Sequence, residues 1–456
     1  MEGFPPRGTG QQGKAEASPA ARWVHPSQLG PEWTYTTSGL LLGTWEGRPV
    51  GWQDDRHMVT VAGSRAGKTR SLILPNLRRY TGAVVCVDPK GELTKETAAD
   101  RRKFGPVWVL DPFGETGQPS ARFNPFDELR RSPPLTLSAD AAQVADALII
   151  PPERADHHWT DSAKNLLTGL ALHFLTADPV RATLPGVRAA LSLDPPALRS
   201  LFNAMAQNPA LGGVVANVGR SMAGKIYDDG EPTGELRSIM STAAEQTRPL
   251  DDVAAISGAS DFSLADLSRG GTLYLVLPAL RIGTHARWLR LVIYQALAAL
   301  ERAPVPRGGL PVWFVLEEFA ALGNMRMVET AAGYMAGFGV KLWVILQDFT
   351  QLQNLYPKSW ETFLGNAGII QAFGNVDKTT TEYLSRLMGD TTISEWQKVK
   401  VTASGMASGD DGRREHVRHP PLLSAPEISL YFSRQSGRSL VLAAGHRPTY
   451  LERFAE

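Results

Sequence analysis

Small residues ending in Gly-Lys-Thr follow an apolar run in this chain: His57-Met58-Val59-Thr60-Val61 leads into Ala62-Gly63-Ser64-Arg65-Ala66-Gly67-Lys68-Thr69. A buried strand, a loop without bulky side chains and a helix must then succeed one another, which points to α/β architecture. The spacing is that of a phosphate loop, with Ala62 where the first glycine usually stands. Small residues let the backbone N–H groups of Gly63, Ser64, Arg65, Ala66 and Gly67 curl around a β-phosphate. The helix that starts with Thr69 and Arg70 then presents its positive end to that phosphate. Lys68 reaches the β- and γ-phosphates, and the Thr69 hydroxyl is suited to ligate Mg²⁺. The plainer alternative is a tight strand-to-helix turn with a chance Gly-Lys-Thr. The helical spacing of Arg70–Leu74 after the strand argues against it, and Pro75 should end or kink that helix.

Further runs of the same kind support a parallel sheet buried on both faces. They are Ala83–Asp88, Val107–Asp111, Thr272–Leu277, Val312–Glu317, Lys341–Gln347, Ile369–Phe373 and Leu440–Ala444. Before them, Leu40–Trp45 and Pro49–Gln53 alternate about Glu46-Gly47-Arg48 and read as a hairpin. Between residues 135 and 264 no strong strand run occurs. Ala139–Ile150, Asp161–Thr176, Pro195–Ala206 and Gly234–Ala244 have helical spacing instead, so the interval reads as an all-α insertion. The expected organisation is a disordered arm over 1–39, a nucleotide-binding domain in two parts, 40–134 and 265–456, and an all-α domain over 135–264. The polar stretch Thr402–Arg418 reads as a mobile loop.

Composition excludes several classes. Lys and Arg total 47 against 46 acidic residues in 456, so the chain is not a uniformly basic nucleic-acid coat. The single cysteine, Cys86, excludes a disulfide framework and a cysteine-rich zinc module. No apolar run approaches the ~20 residues needed to span a bilayer. Together these point to a large, soluble, intracellular globular protein.

Hydrolysis needs acids near the phosphates, and Val312-Trp313-Phe314-Val315-Leu316-Glu317-Glu318 supplies a pair at a strand end. Glu317 would order the Mg²⁺ shell and Glu318 would polarise the attacking water. The first acid is more often Asp, and one extra methylene matters to a strict octahedral shell. Gln347, at the end of another strand, is placed to sense the γ-phosphate or orient water. Asp88 is balanced between a site role and a helix cap, with Lys90 close by. Glu153, Asp156, His157, His158 and Asp161 read as a solvated helix start anchored by a buried Trp159 rather than a metal site. Trp313 and Trp343 read as core. Arg78-Arg79, Arg130-Arg131 and Arg413-Arg414 read as solvated charge.

Taken in order, these residues resemble the TraG-like type IV coupling proteins of bacterial conjugation and type IV secretion. The resemblance runs from about Leu42 to the C-terminus. It rests on the phosphate loop, Ile73-Leu74-Pro75-Asn76-Leu77, Asp88-Pro89-Lys90-Gly91-Glu92-Leu93, Phe123-Asn124-Pro125 and Glu317 to Gly323. Ile345-Leu346-Gln347-Asp348, Phe373-Gly374, Leu387 to Thr392 and Gly445-His446-Arg447-Pro448 complete it. The resemblance implies a RecA-like P-loop NTPase domain with an inserted all-α domain that selects substrates, and ATP with Mg²⁺ as cofactors. It implies a homo-hexameric ring that passes single-stranded DNA, or a relaxase–DNA complex, to type IV secretion components. Family members usually begin with membrane helices; none is seen here, so the expected location is cytoplasmic, or peripheral at the inner membrane through a membrane-anchored partner. Some relatives carry an arginine that reaches the neighbouring subunit's nucleotide. Gly333-Tyr334-Met335-Ala336-Gly337 offers none, leaving Arg326 and Arg386 as substitutes by position. Two other functions fit parts of the sequence: a nucleotide-binding recruitment adaptor with little turnover, and a FtsK- or HerA-like duplex DNA motor.

Overall fold

The computed structural model describes residues 21–151, 157–398 and 413–455. In chain order the strands are β1 (Leu40–Trp45), β2 (Arg48–Trp52), β3 (His57–Ala62), β4 (Val84–Asp88), β5 (Val107–Leu110), β6 (Thr272–Val276) and β7 (Val312–Leu316). They continue with β8 (Val340–Leu346), β9 (Ala367–Phe373), β10 (Ile393–Lys398), β11 (Arg413–Arg418), β12 (Arg438–Ala443) and β13 (Thr449–Glu452). The chain forms two compact units, Met1–Tyr80 with Ile345–Glu456, and Thr81–Val344.

In the first unit the strands run β2-β1-β13-β12-β9-β3. The neighbours are antiparallel except β3 and β9, which run parallel from His57↔Ala367 to Ala62↔Phe373. Every residue of β3 and of β9 is buried, as their near-continuous apolar sequence requires. The β1–β2 hairpin turns on Glu46 and Gly47, at φ 48° and 76°. Two left-handed residues make the turn whose twist matches the strands. β10 and β11 pair with each other as a separate ribbon.

The described part of the expected arm is packed. Trp33 is buried and lies 4.8 Å from Trp52, centroid to centroid. Val24 N–H donates to Pro448 O at 3.0 Å, and its carbonyl accepts from Thr449 Oγ1 at 2.9 Å. Aromatic burial on the hairpin outweighs the segment's Gly- and Pro-rich composition. The expected mobile loop also differs: Arg413–Arg418 pairs as β11, while 402–412 lie outside the described residues.

The second unit holds an all-parallel order, β8-β7-β4-β6-β5. The 24-residue helix Ala279–Arg302 follows β6. Between Leu110 and Thr272 no described residue belongs to a strand. Helices such as Leu137–Leu148, His158–Ala177, Pro195–Ala206 and Gly234–Thr247 fill that span. Asp194 and Thr233 cap two of them by accepting from Ala197 N and Leu236 N, satisfying N–H groups the first turn leaves open. Leu198, Leu201, Phe202 and Met205 are buried at helical spacing. His158–Ala177 starts earlier than expected, so Trp159 falls in its first turn and is 37% exposed rather than a buried anchor. Among the described residues no helix is long and apolar enough to cross a membrane.

Candidate nucleotide site

The phosphate loop belongs to the first unit and leaves the C-terminal end of β3. Gly63 N–H donates to Phe373 O, and Ala66 N–H donates to Gly63 O, both at 3.1 Å. Arg65 at φ 56° and Gly67 at φ 90° are left-handed, so the backbone curls tightly on either side of Ala66. A Cβ on Gly63 would stand 2.0 Å from the Gly374 carbonyl oxygen, and one on Gly374 2.5 Å from Ala66 Cβ. The two glycines let the loop and the end of β9 meet backbone to backbone, which is the physical content of the Phe373-Gly374 pair. Ser64, Arg65, Gly67 and Arg70 are exposed, Lys68 and Thr69 half-buried, and Ala66 buried.

The helix after the loop does not stop at Pro75. Thr69–Ile73 forms a π turn, with Leu74 N–H donating to Thr69 O, and Leu74–Arg79 continues as α-helix. Proline lacks the N–H and crowds the carbonyl four residues back; the wider π turn accommodates it. Asn76, 1% exposed, then ties the helix to the sheet. Its Nδ2 donates to Leu41 O and Leu72 O, and its Oδ1 accepts from Leu41 N, all at 2.8 Å. The start of this helix presents its positive dipole end, with Lys68 and Thr69 at it.

Gln347 lies in the same unit. Its carbonyl accepts from Asn375 Nδ2 and its N–H donates to Gln351 Oε1, both at 2.9 Å. Asn375 is buried and follows Gly374, so a short path links the half-buried Gln347 to the loop. Asp348 caps the helix Phe349–Leu355 by accepting from Gln351 N–H at 2.9 Å. Sequence reasoning missed Asn375; the signal was a polar residue directly after a buried strand and a glycine.

The acids belong to the second unit. Glu317 and Glu318 follow β7, both half-buried, and Glu318 is left-handed at φ 54°. The β4–β7 register pairs Val87 with Leu316, which sets Asp88 beside Glu317 at neighbouring strand ends. The buried Cys86 thiol feels both: burial first, then the Asp88 and Glu317 charges, push its pKa well up. Asp88 is a helix anchor, with Oδ2 accepting from Thr94 N at 2.7 Å and Thr94 Oγ1 at 2.8 Å. Its Oδ1 is buried with no hydrogen-bond partner among the described residues, an oxygen open to a cation or water. Lys90 is exposed.

Among the remaining candidates, Arg326 opens the helix Arg326–Tyr334 and is exposed. Arg386 lies on Lys378–Met388 with its guanidinium 4.0 Å from Glu382. Glu153 and Asp156 lie outside the described residues, and His158 Nε2 is 3.7 Å from Glu235. Trp313 and Trp343 are buried and meet edge to face at 6.0 Å.

Comparison with known proteins adds to this geometry. Residues 20–455 match the model of one protein family, described as type IV secretory system conjugative DNA transfer. The chain is 29% identical over 426 residues to the conjugal transfer protein TraG of Escherichia coli, covering 86% of this chain and 65% of that protein. It is 25% identical over 451 residues to the protein VirD4 of Agrobacterium fabrum, covering 93% of this chain and 60% of that protein. The chain therefore spans less than two thirds of the length of either relative. Among solved structures, the plasmid coupling protein TrwB in complex with ADP and Mg²⁺ superposes with a TM-score of 0.66 at 15% identity, over 97% of each chain. That likeness shows the fold alone, a RecA-like α/β domain with a helical domain.

Proposed function

The chain belongs to the type IV secretory system conjugative DNA transfer family, and on that premise we propose that it is an ATP-hydrolysing coupling protein. Its work would be to recruit single-stranded DNA, or a relaxase–DNA complex, and drive it into a type IV secretion or conjugation channel. The observation that carries the reading is the phosphate loop itself: a buried strand, a backbone curled by left-handed Arg65 and Gly67, and Lys68 with Thr69 at a helix start. The nucleotide of TrwB, ADP with Mg²⁺, supports ATP and Mg²⁺ here.

The residues suit those groups. Thr69 and Glu317 offer the oxygen ligands that Mg²⁺ prefers, and the unpartnered Oδ1 of Asp88 adds a further oxygen beside Glu317. Bound Mg²⁺ would draw charge from the phosphate oxygens as the terminal bond breaks. The loop N–H groups and Lys68 hold the β- and γ-phosphates and stabilise the negative charge that develops there. Glu318 takes the proton of the attacking water, and Gln347 orients that water. Gly63 to Arg70 form the binding stretch.

In the same reading the helices of 135–264 form a substrate-selecting domain, the active form is a homo-hexamer, and a membrane-anchored partner brings the chain to the channel. One observation favours a second reading: Glu317 stands where aspartate is commoner, which suits a nucleotide-binding adaptor with little turnover. Single-turnover assays on purified variants test the roles. Lys68→Ala should abolish hydrolysis by removing the phosphate-reaching cation. Glu318→Gln should slow it by about 100-fold or more while bound ATP accumulates. Hydrolysis retained in Lys68→Ala would remove the loop from the mechanism.

A further inference from the structure

The C-terminal end of the chain returns to the phosphate loop. Arg453 directly follows β13, and its backbone N–H donates to Gly437 O at 2.7 Å. Its guanidinium donates from Nη1 to the carbonyl of Ala66, the residue between the two left-handed positions, and from Nη2 to Arg434 O at 2.6 Å. The same group lies 5.3 Å from the centre of the Phe373 ring, and Nη1 is 3.7 Å from where a Cβ on Gly67 would be. One residue on, the Phe454 ring lies under the Arg79 guanidinium at 4.8 Å, at the far end of the loop's helix.

Two features separate this from an ordinary surface arginine. Among the described residues no carboxylate pairs with Arg453, and its Nε is buried without a hydrogen-bond partner. Burial accordingly lowers its pKa, as expected of a cation facing only carbonyl oxygens. Left-handed non-glycine residues such as Arg65 persist where surrounding contacts over-determine them, and the bond to Ala66 O is such a contact.

We propose that Arg453 is a positioning residue: through the Ala66 carbonyl it holds the phosphate loop in its anion-binding shape, and it supplies unneutralised positive charge beside the polyphosphate of a nucleotide. The inference rests on the nucleotide-binding reading above and assigns a part of that site to the segment directly after β13.

The test is titration of the full chain with a fluorescent ATP analogue, beside steady-state ATP turnover, for wild type, Lys68→Ala, Arg453→Ala and Arg453→Lys. Arg453→Ala should weaken analogue binding by about tenfold or more, the loss of one charge-assisted bond and its charge. Its KM for ATP should rise by a similar factor, while kcat falls less than about threefold. Arg453→Lys keeps the charge without the two-armed donor and should fall between wild type and Arg453→Ala. Affinity in Arg453→Ala within about twofold of wild type would overturn the inference. If Arg453→Ala does not fold, Arg453→Lys decides: wild-type affinity overturns it, an intermediate loss supports it. Failure of the wild type itself to bind the analogue would instead overturn the nucleotide reading.

Discussion

Four described residues other than glycine have positive φ: Glu46, Arg65, Leu211 and Glu318. One of them, Arg65, lies in the phosphate loop, and another, Glu318, in the acidic pair after β7. Each such conformation costs roughly 1–3 kcal/mol and is kept only where neighbours enforce it. At Arg65 those neighbours are the buried Ala66 and the backbone contact of Gly63 with Gly374. Gly63→Ala should therefore destabilise the protein by about 2 kcal/mol or more through overpacking against a backbone carbonyl, and weaken nucleotide binding with it. Urea denaturation measures the first effect, and a change below about 0.5 kcal/mol would mean the two backbones part easily. At this scale the small-residue spacing made Gly63 and Gly67 legible. The conformations of Arg65 and Glu318 were not, because side-chain type does not encode a left-handed φ outside glycine. Arg453 was not legible either, since its contact joins residues at opposite ends of the chain.

The legible elements were those buried on both faces or capped by their own sequence. β3, β4, β6, β7 and β9 fall where continuous β-branched runs place them, and Pro195–Ala206 coincides with its expected bounds because Asp194 and two prolines mark its start. β13 is four residues long and β11 reads Arg-Arg-Glu-His-Val-Arg; partner strands, not periodicity, decide such segments. The helix after the phosphate loop shows both outcomes. Its start was legible, but its passage through Pro75 depends on a π turn that no local pattern announces. Asn76 carries a prediction at this scale. Asn76→Ala leaves both the N–H and the carbonyl of Leu41 short of their buried partner, and should cost about 2–4 kcal/mol in urea denaturation. A cost below about 1 kcal/mol would show that water enters and replaces the amide.

For the molecule as a whole, pH is an independent probe. Burial, then the Arg181 charge, lowers the pKa of His173 in the helix His158–Ala177, where Asn208 Nδ2 lies 3.2 Å from its Nδ1. With Asn208 donating, that nitrogen must be unprotonated. The folded pKa lies below the unfolded one, so the unfolded state takes up protons first as pH falls. The neutral ring's contribution is complete above the unfolded value of about 6.5 and is lost progressively as pH falls through the folded pKa. Melting temperature should therefore drop as pH is lowered from 7 to 5, and His173→Gln should flatten that slope; an unchanged slope would assign it to other groups. The hydrogen bond from Arg188 likewise holds Asp251 below its ordinary pKa, so that contribution is present above about pH 4 and fades only below it. The measurement that bears most directly on the function is ATP turnover by the purified protein with and without single-stranded DNA, with Lys68→Ala as the blank. Turnover that DNA stimulates and that Lys68→Ala lacks is the expected result; nucleotide bound but not turned over under either condition would contradict a motor and leave the adaptor.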